Sequence, residues 1–164
     1  MEHHIQITGF NAYIKNVPDV LTCIKDIAGQ GTIQLLQAPG VAGEEHLLHS
    51  TQQALLSFQR KENLSKDLGL EICLRASAQR QISRAIQILG ITEGQQALAA
   101  VIVDCPEDTL TKLETLLGPS DSKVLKSGPE NLKKIYKISD SELYALKNVK
   151  RVLIERTTLL NLEK

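Results

Sequence analysis

The chain has 164 residues, of which 42% are hydrophobic and 23% are charged, and its 19 basic side chains balance 19 acidic ones. This composition excludes a disordered chain, a collagen and a small disulfide scaffold, and the zero net charge argues against a protein that coats polyanions over its whole surface. Charge is nevertheless distributed in blocks, with −3 over residues 1–59, +3 over 60–84, −5 over 85–122 and +5 over 123–156. Opposed blocks of this kind predict more than one charged face.

The first part of the chain predicts two strands and two helices. Ile5 and Ile7 share one face of a strand at 4–8, and Pro18 opens a helix that Gly29 ends. The apolar run 32–37 predicts the second strand. A longer helix follows over about 44–61, with acidic residues at its beginning and basic residues at its end, as the helix dipole favours.

The middle of the chain predicts two more strands with a helix between them. Residues 71–76 alternate as a strand does, and Ser77 is placed to cap the helix that follows. Residues 97–103 are continuously apolar, which is typical of a central strand buried on both faces. The helix between these strands has a predicted core stripe of Ile82, Ala85, Ile86 and Leu89.

The last third predicts helices. One runs from Pro106 to Gly118, and a short linker-like segment at 120–129 separates it from three more, at about 130–136, after the capping box Ser139–Glu142, and over about 149–162. We therefore expect one domain over 1–164, of the α+β class, with a mixed central sheet of about four to five strands layered with helices. The order of the strands stays open.

Three cysteines, Cys23, Cys73 and Cys105, lie in or beside apolar runs and form no CxxC pair. An odd and scattered set does not build a disulfide framework, so we expect small buried core residues in a reducing compartment. The beginning of the chain lacks the pattern of a signal peptide, and no apolar run approaches the ~20 residues that cross a bilayer. These features favour a cytoplasmic protein without a membrane segment.

Nothing in the sequence indicates an active site. No phosphate-binding loop, GxSxG or HExxH pattern is present, and His46 and His49 share a helix without a third ligand nearby. A solvated helix face explains these two histidines better than zinc does. Asp104 follows the apolar strand where α/β enzymes place catalytic carboxylates, but the same residue can cap the helix that Pro106 opens. We expect no metal, no cofactor and no enzymatic activity.

A basic cluster lies around the expected strand-to-helix turn. Arg75 ends the strand, and the free N–H groups of a helix that begins after Ser77 attract anions. Arg80 and Arg84 lie four residues apart on the face opposite the core stripe. Together with Arg60 and Lys61 they can form a phosphate-binding surface. The alternative is a solvated helix face with ordinary surface arginines, since aromatic stacking partners are missing.

The final helix carries more apolar surface than one contact can cover. Ile154, Leu159 and Leu162 lie outside its main stripe, so this helix contacts either a second helix of the same domain or another protein. Both alternatives stay open. The main stripe consists of Val149, Val152, Leu153, Arg156 and Leu160.

The segment Arg75–Ile86, preceded by Asp67–Glu71, resembles the kinase-binding subunit of the KEOPS (EKC) complex, the TPRKB or PRPK-binding protein family. Three further segments resemble the same family in the same order: the helix at 52–54, the run 132–143, and the terminal 155–160. Many relatives carry glycine where this chain has Ala78. Eukaryotic members tend to lose the arginines present here, so the chain is more similar to archaeal members.

The resemblance implies a non-catalytic regulatory subunit. Such a subunit binds and stimulates a small atypical kinase/ATPase of the PRPK type, in a complex that makes the threonylcarbamoyl-adenosine modification of tRNA. Archaeal members also recruit tRNA through its single-stranded 3′ CCA end, and the family fold is a mixed α+β sheet layered with helices. On this interpretation, the RNA-binding residues are Arg60, Lys61, Arg75, Ser77, Arg80 and Arg84, and the kinase-binding residues are Val149, Val152, Leu153, Arg156, Leu159 and Leu160.

Two other interpretations remain. One is a small-molecule-binding α/β regulatory domain with no role in RNA binding, and the other is an enzyme that uses Asp104. Binding of tRNA that depends on the CCA end separates the first interpretation from both of these.

Overall fold

The computed structural model describes residues 2–160, which contain one sheet of three strands. The strands are β1 (Ile5–Ile14), β2 (Thr32–Gln37) and β3 (Gly94–Val103), arranged in the order β1-β3-β2. Both edge strands run antiparallel to β3. The α+β class is confirmed. The expectation of a mixed sheet with four to five strands is wrong, because both pairs are antiparallel and the expected strand at 71–76 is helical.

Eight α-helices lie around this sheet within the described part of the chain, and most begin and end within a few residues of the predicted positions. They are α1 (Val17–Ala28), α2 (Glu44–Gln59), α3 (Leu68–Ser77), α4 (Ile82–Leu89), α5 (Thr109–Leu117), α6 (Pro129–Ile135), α7 (Asp140–Leu146) and α8 (Val149–Leu159). Short 3-10 helices occupy Ala38–Gly40 and Ser122–Leu125. The predicted capping box is confirmed, because Ser139 and Glu142 bond each other's backbone N–H at the start of α7.

Successive side chains of the strands enter two separate cores, because a strand alternates its side chains between the two faces of a sheet. Leu98, Ala100 and Ile102 of β3 pack against α1 and α5 on one face. Ala99 and Val101 pack against α2, α3 and α4 on the other. All residues from Leu98 to Val103 are buried, which confirms the prediction of a central strand covered on both faces.

The segment predicted as a strand at 71–76 is the interior of α3, and every residue from 71 to 77 is buried. α3 is enclosed by α2, α4, β2 and α8. A helix buried all round has no polar face and therefore no visible helical period, so its short apolar run cannot be told from a buried strand by pattern alone. α3 ends at Ala78, whose φ of +54° places it in the left-handed region. Glycine adopts that conformation without strain, whereas alanine does so at some cost.

A buried ion pair lies at the centre of α3. The side chains of Glu71 and Arg75 are 0% and 2% exposed, and Nη2 of Arg75 lies 2.9 Å from Oε2 of Glu71. Oε1 of the same carboxylate accepts the backbone N–H groups of Leu64 and Ser65, each at 2.7 Å, and Oε2 accepts the Ser57 hydroxyl at 3.2 Å. One carboxylate therefore connects α2, the α2–α3 loop and α3.

The three C-terminal helices build a third core next to the sheet. Leu132, Tyr136, Val152 and Leu153 are buried there together. The Tyr136 hydroxyl donates to the carbonyl of Gly40, which connects this core to the 3-10 turn after β2, and burial raises the pKa of that phenol. The sequence predicts that the helical last third packs on the sheet; this holds for α5, whereas α8 packs on α2 and α3, and α6 on the 3-10 turn.

Replacing Arg75 by Met is expected to lower the free energy of unfolding by about 3–5 kcal/mol, because it leaves the Glu71 carboxylate buried without its cation. Urea unfolding followed by circular dichroism measures the loss. The matched control is Arg84→Met, an exposed position of α4, which should change the free energy by less than about 0.5 kcal/mol. Equal stability of the two variants would contradict the assignment of Arg75 as a structural residue.

Candidate functional site

The structure separates the six residues expected to bind RNA into three groups. Two are exposed at the end of α2, two are buried in α3, and two are exposed around the start of α4. The residues at the end of α2 are Arg60 and Lys61, those in α3 are Arg75 and Ser77, and those around the start of α4 are Arg80 and Arg84.

Arg75 and Ser77 do not reach the surface. Nε of Arg75 donates to Glu71 at 2.9 Å, and the Ser77 hydroxyl donates to the carbonyl of Cys73 at 2.8 Å. Ser77 also cannot cap the next helix, because α4 begins five residues later at Ile82. The expectation that Arg75 ends a strand and points into solvent is wrong, because residues 71–76 are buried inside the helix α3.

Exposed cations and exposed apolar side chains both occur around the start of α4, with Arg84 about 160–200° around the helix from Ile82 and Ile86. Ile82 and Ile86 are 40% and 47% exposed, so the prediction that both point inward is wrong, whereas Ala85 and Leu89 are buried as expected. Arg84 is exposed in the first turn of α4, and Arg80 precedes the helix. We call Arg80, Ile82, Arg84 and Ile86 the α4 surface. Arginines can contact phosphates while isoleucines cover unpaired bases, so this surface has the chemistry to bind single-stranded RNA.

Arg80 is held in place from the C-terminal end of the chain. Its Nη1 donates to the carbonyl of Leu160 at 3.0 Å. Nearby, the Thr157 hydroxyl donates to the carbonyl of Arg75 at 2.7 Å. The α4 surface is therefore built where the ends of α3 and α8 meet.

Arg60 and Lys61 belong to a different region. They follow α2, and α3 separates them from Arg80 along its whole length. Ten helical residues span about 15 Å. The single basic surface expected from the sequence is therefore two basic regions at opposite ends of α3.

Most of the six predicted kinase-binding residues lie inside the chain's own core. Of the other two, Leu159 is 40% exposed, and Arg156 is part-buried and donates to Glu142 and to the carbonyl of Tyr136 at 2.7 Å. The structure thus favours the first of the two alternatives for the final helix, a contact within the domain. The buried members are Val149, Val152, Leu153 and Leu160, each at most 6% exposed. Leu162 lies outside the described residues.

An apolar groove of about 840 Å³ lies between the beginning of β1 and the outer face of α2. Its apolar lining includes Ile5, Leu55, Leu56, Phe58 and Leu68. Leu56 is 37% exposed in the last turn of α2. We call this the edge groove.

The backbone beside the edge groove is unpaired. The carbonyl of His4 accepts from Asp104, which continues the β3 pairing, whereas the carbonyl of Gly9 points the other way and accepts from Asp121 at 2.7 Å. Because alternate residues of a strand direct their N–H and C=O groups to opposite sides, Ile5 and Ile7 direct theirs to the open edge. No backbone group among residues 2–160 pairs with them there. An extended segment can add to this edge and place side chains in the groove.

His46 is a structural residue of the fold, and the expectation of a solvated helix face is wrong for it. It is 0% exposed, its Nδ1 accepts the N–H of Ala42 at 3.0 Å, and its Nε2–H donates to the carbonyl of Ala76 at 2.9 Å. Both nitrogens are therefore used, and burial lowers its pKa to about 4. His49 instead contacts the Thr158 hydroxyl at 2.9 Å. Within residues 2–160, no three potential metal ligands lie together.

Asp104 anchors the beginning of β1. Its Oδ1 accepts the backbone N–H of His4 and its Oδ2 lies 2.7 Å from Nδ1 of His3. The bond with His3 is the main cause that lowers the pKa of this carboxyl. The expected helix cap is wrong, because α5 begins only at Thr109, after Asp108.

The expectation of buried cysteines holds for Cys73 alone. Cys23 is exposed on α1 and Cys105 is part-buried. Burial raises the pKa of the Cys73 thiol to about 12. No helix within residues 2–160 has the length and hydrophobicity needed to cross a bilayer.

The sequence patterns did not predict the edge groove or the exposure of Ile82 and Ile86 on α4. Leu56 gave a usable signal, because it lies outside the α2 stripe that contains Leu47 and Ala54 and therefore had no core partner. The isoleucines gave none, because Ile82 and Ile86 lie on the same apolar face of α4 as the buried Ala85 and Leu89.

The chain is similar in sequence to known proteins. Residues 12–161 match the model of a family described as kinase binding protein CGI-121. The regulatory protein Cgi121 of the archaeon Methanocaldococcus jannaschii is 33% identical over 135 residues, which cover 80% of this chain and 84% of that protein.

Stability is expected to fall in acid through His46. The pKa of this histidine is about 4 in the folded chain and near 6.5 when unfolded, so the unfolded chain binds the proton more tightly. The stabilisation is fully present above pH 6.5 and is lost as the pH falls towards 4, by about 3 kcal/mol. Urea unfolding at several pH values measures this slope. It should be much smaller in His46→Phe and only slightly smaller in His49→Phe, because burial lowers the pKa of His49 less than that of His46; equal slopes in all three proteins would contradict the assignment.

Proposed function

The chain belongs to the CGI-121 family of kinase-binding proteins, and we propose that it is a non-catalytic, cytoplasmic regulatory subunit of the KEOPS complex. In this role it binds and stimulates a small kinase/ATPase of the PRPK type. It also recruits tRNA through the 3′ CCA end for threonylcarbamoyl-adenosine modification. Family membership is the observation that carries kinase binding.

The edge groove is the surface we assign to the kinase. The C-terminal stripe cannot be exposed without opening the third core, since Val152 and Leu153 are both 0% exposed. The groove, in contrast, offers exposed apolar side chains beside unpaired backbone groups of Ile5 and Ile7. The exposed edges of sheets are usually blunted by lysine or proline, and residues 5–8 contain neither. Two features therefore support the edge groove as the kinase site: its exposed apolar side chains and the unpaired backbone groups of Ile5 and Ile7, which can hydrogen-bond a partner.

The α4 surface is where we place the tRNA end. It combines two arginines with two exposed isoleucines, which suits an unpaired segment better than a duplex. Arg75 and Ser77 are not part of this surface because they are buried. Arg60 and Lys61 directly follow Gln59, which lines the edge groove, and α3, about 15 Å long, lies between them and Arg80 in the chain, so they can contact a more distant phosphate of the same tRNA.

The two surfaces lie at opposite ends of α3, so the kinase and the tRNA end can bind at the same time. This arrangement suits a subunit that brings a substrate to an enzyme. The protein itself then needs no catalytic group.

Leu56→Glu is expected to weaken binding of the PRPK-type kinase at least tenfold, because it places a charge in an apolar contact. Isothermal titration calorimetry with the purified kinase measures the affinity, and the kinase's ATP hydrolysis with and without the subunit measures stimulation. The control is Leu21→Glu on α1, which is 49% exposed on the opposite layer and should bind as the parent does. Parent-like affinity of Leu56→Glu would contradict the edge groove as the kinase site.

Arg80→Ala and Arg84→Ala are each expected to weaken tRNA binding by about 1–3 kcal/mol and to reduce its salt dependence, as the loss of a phosphate contact does. Filter binding across a salt titration measures both quantities. Lys25→Ala, an exposed lysine on α1, serves as the control and should bind normally. Trimming the CCA end should remove the difference between parent and variants. If it does not, the α4 surface contacts another part of the tRNA.

A further inference from the structure

A second cavity, of about 570 Å³, lies among the C-terminal helices and away from both surfaces assigned above. Lys126, Lys147 and Lys150 line it, and no acidic residue does. Its other side is apolar and includes Leu132, Leu143 and Val149. We call it the lysine pocket.

The positive charge of the lysine pocket is not neutralised within the described chain. Lys150 has a partner, since its Nζ lies 2.8 Å from Glu45. No ion pair involves Lys126 or Lys147 within residues 2–160. The two neighbouring acids of α7 are engaged elsewhere: Asp140 pairs with Lys133 and Glu142 with Arg156. Two unpaired ammonium groups therefore share one concave site.

The backbone holds these lysines in fixed positions. Lys126 forms a β-bridge with Ala42. Lys147 ends α7 with a φ of +75°, and the next residue, Asn148, accepts the N–H of Arg151 to cap α8. Lys150 lies in the first turn of α8. The backbone of the site is therefore ordered before a ligand binds, and only the lysine side chains lose freedom on binding.

The first turn of α8 also favours an anion. Helices stabilise acidic groups at their beginning, yet α8 has Lys150 and Arg151 there and no acidic residue. Glu45 offsets only part of this unfavourable charge. A bound anion in the pocket would offset the rest.

The apolar side of the pocket indicates that the ligand is more than a free anion. Leu132 and Val149 are 3% and 6% exposed and belong to the third core, which makes this side rigid. A cavity of this size accommodates a small molecule of several rings. A ligand that carries a flat heterocycle and a phosphate matches both sides of the pocket, because the ring can pack against the leucines while the phosphate contacts the lysines.

We propose that the lysine pocket binds a nucleoside phosphate, with its phosphate between Lys126 and Lys147 and its base against Leu132 and Leu143. The pocket shares no residue with the assigned kinase and tRNA surfaces, so failure to bind AMP leaves the proposed function unaffected, whereas displacement of AMP by tRNA would move the tRNA end from the α4 surface to this pocket. A free nucleotide and a terminal nucleotide of an RNA chain share this chemistry.

Isothermal titration calorimetry of the full chain with AMP tests the proposal. We expect saturable binding, about tenfold weaker in Lys126→Gln and in Lys147→Gln, since each removes one charge-assisted hydrogen bond. The matched control is Lys134→Gln, an exposed lysine of α6 outside the pocket, which should bind as the parent does. Adenosine and inorganic phosphate should each bind more weakly than AMP, because each fills only half of the site.

Three results would overturn the proposal: no binding at millimolar AMP, equal affinity in all three lysine variants, or phosphate binding as tightly as AMP. Competition identifies the source of the ligand. If a tRNA transcript displaces AMP and does so less well in Lys147→Gln, an RNA end supplies the nucleotide. If it does not displace AMP, the ligand is a free nucleotide.

Discussion

The buried carboxylate of Glu71 is the constraint on which the rest of this structure depends. It is fully enclosed, and it is acceptable there only because two backbone N–H groups, the Ser57 hydroxyl and the Arg75 guanidinium all point at it. A buried charge without such partners is strongly destabilising. Those partners lie on α2, on the loop that follows it and on α3, so satisfying one carboxylate fixes how these three segments pack. Once α3 is fixed, the sheet, α4 and α8 pack around it.

The position of α3 decides where the functional surfaces lie. One end of α3 adjoins the edge groove, through Leu68, and the other end adjoins α4 and the end of α8. α3 has no exposed residue between 71 and 77, so it acts as a rigid spacer rather than as a binding element. The proposed binding of two partners at once needs such a fixed distance. The same burial explains why the most basic part of the predicted RNA site, around Arg75, contributes to stability instead of recognition.

The C-terminal helices connect the surfaces to the core. Arg156 bonds Glu142 and the carbonyl of Tyr136, Tyr136 reaches Gly40, and Thr157 reaches the end of α3. The apolar stripe of α8 is used entirely in this packing. Besides the exposed Tyr144 and Leu159, surface charge is what remains available in this third of the chain. The lysines around the second cavity are therefore the chemistry that this region can offer to a ligand.

The sequence by itself determined the α+β class, most helix and strand positions, the central place of β3 and the capping box at Ser139, because each depends on local patterns of three to eight residues. It also determined the family, which depends on the order of several motifs along the chain. Only the tertiary structure decided that residues 71–76 form a helix, that Arg75 is buried and that Ile82 faces solvent. A helix surrounded on all sides has no polar face, so its sequence does not reveal the helical period. Arg75 points inward because it pairs with the buried carboxylate of Glu71, and only the packing of the neighbouring segments buries that carboxylate. The edge groove and the lysine pocket join residues far apart in the chain, so no local pattern could indicate them.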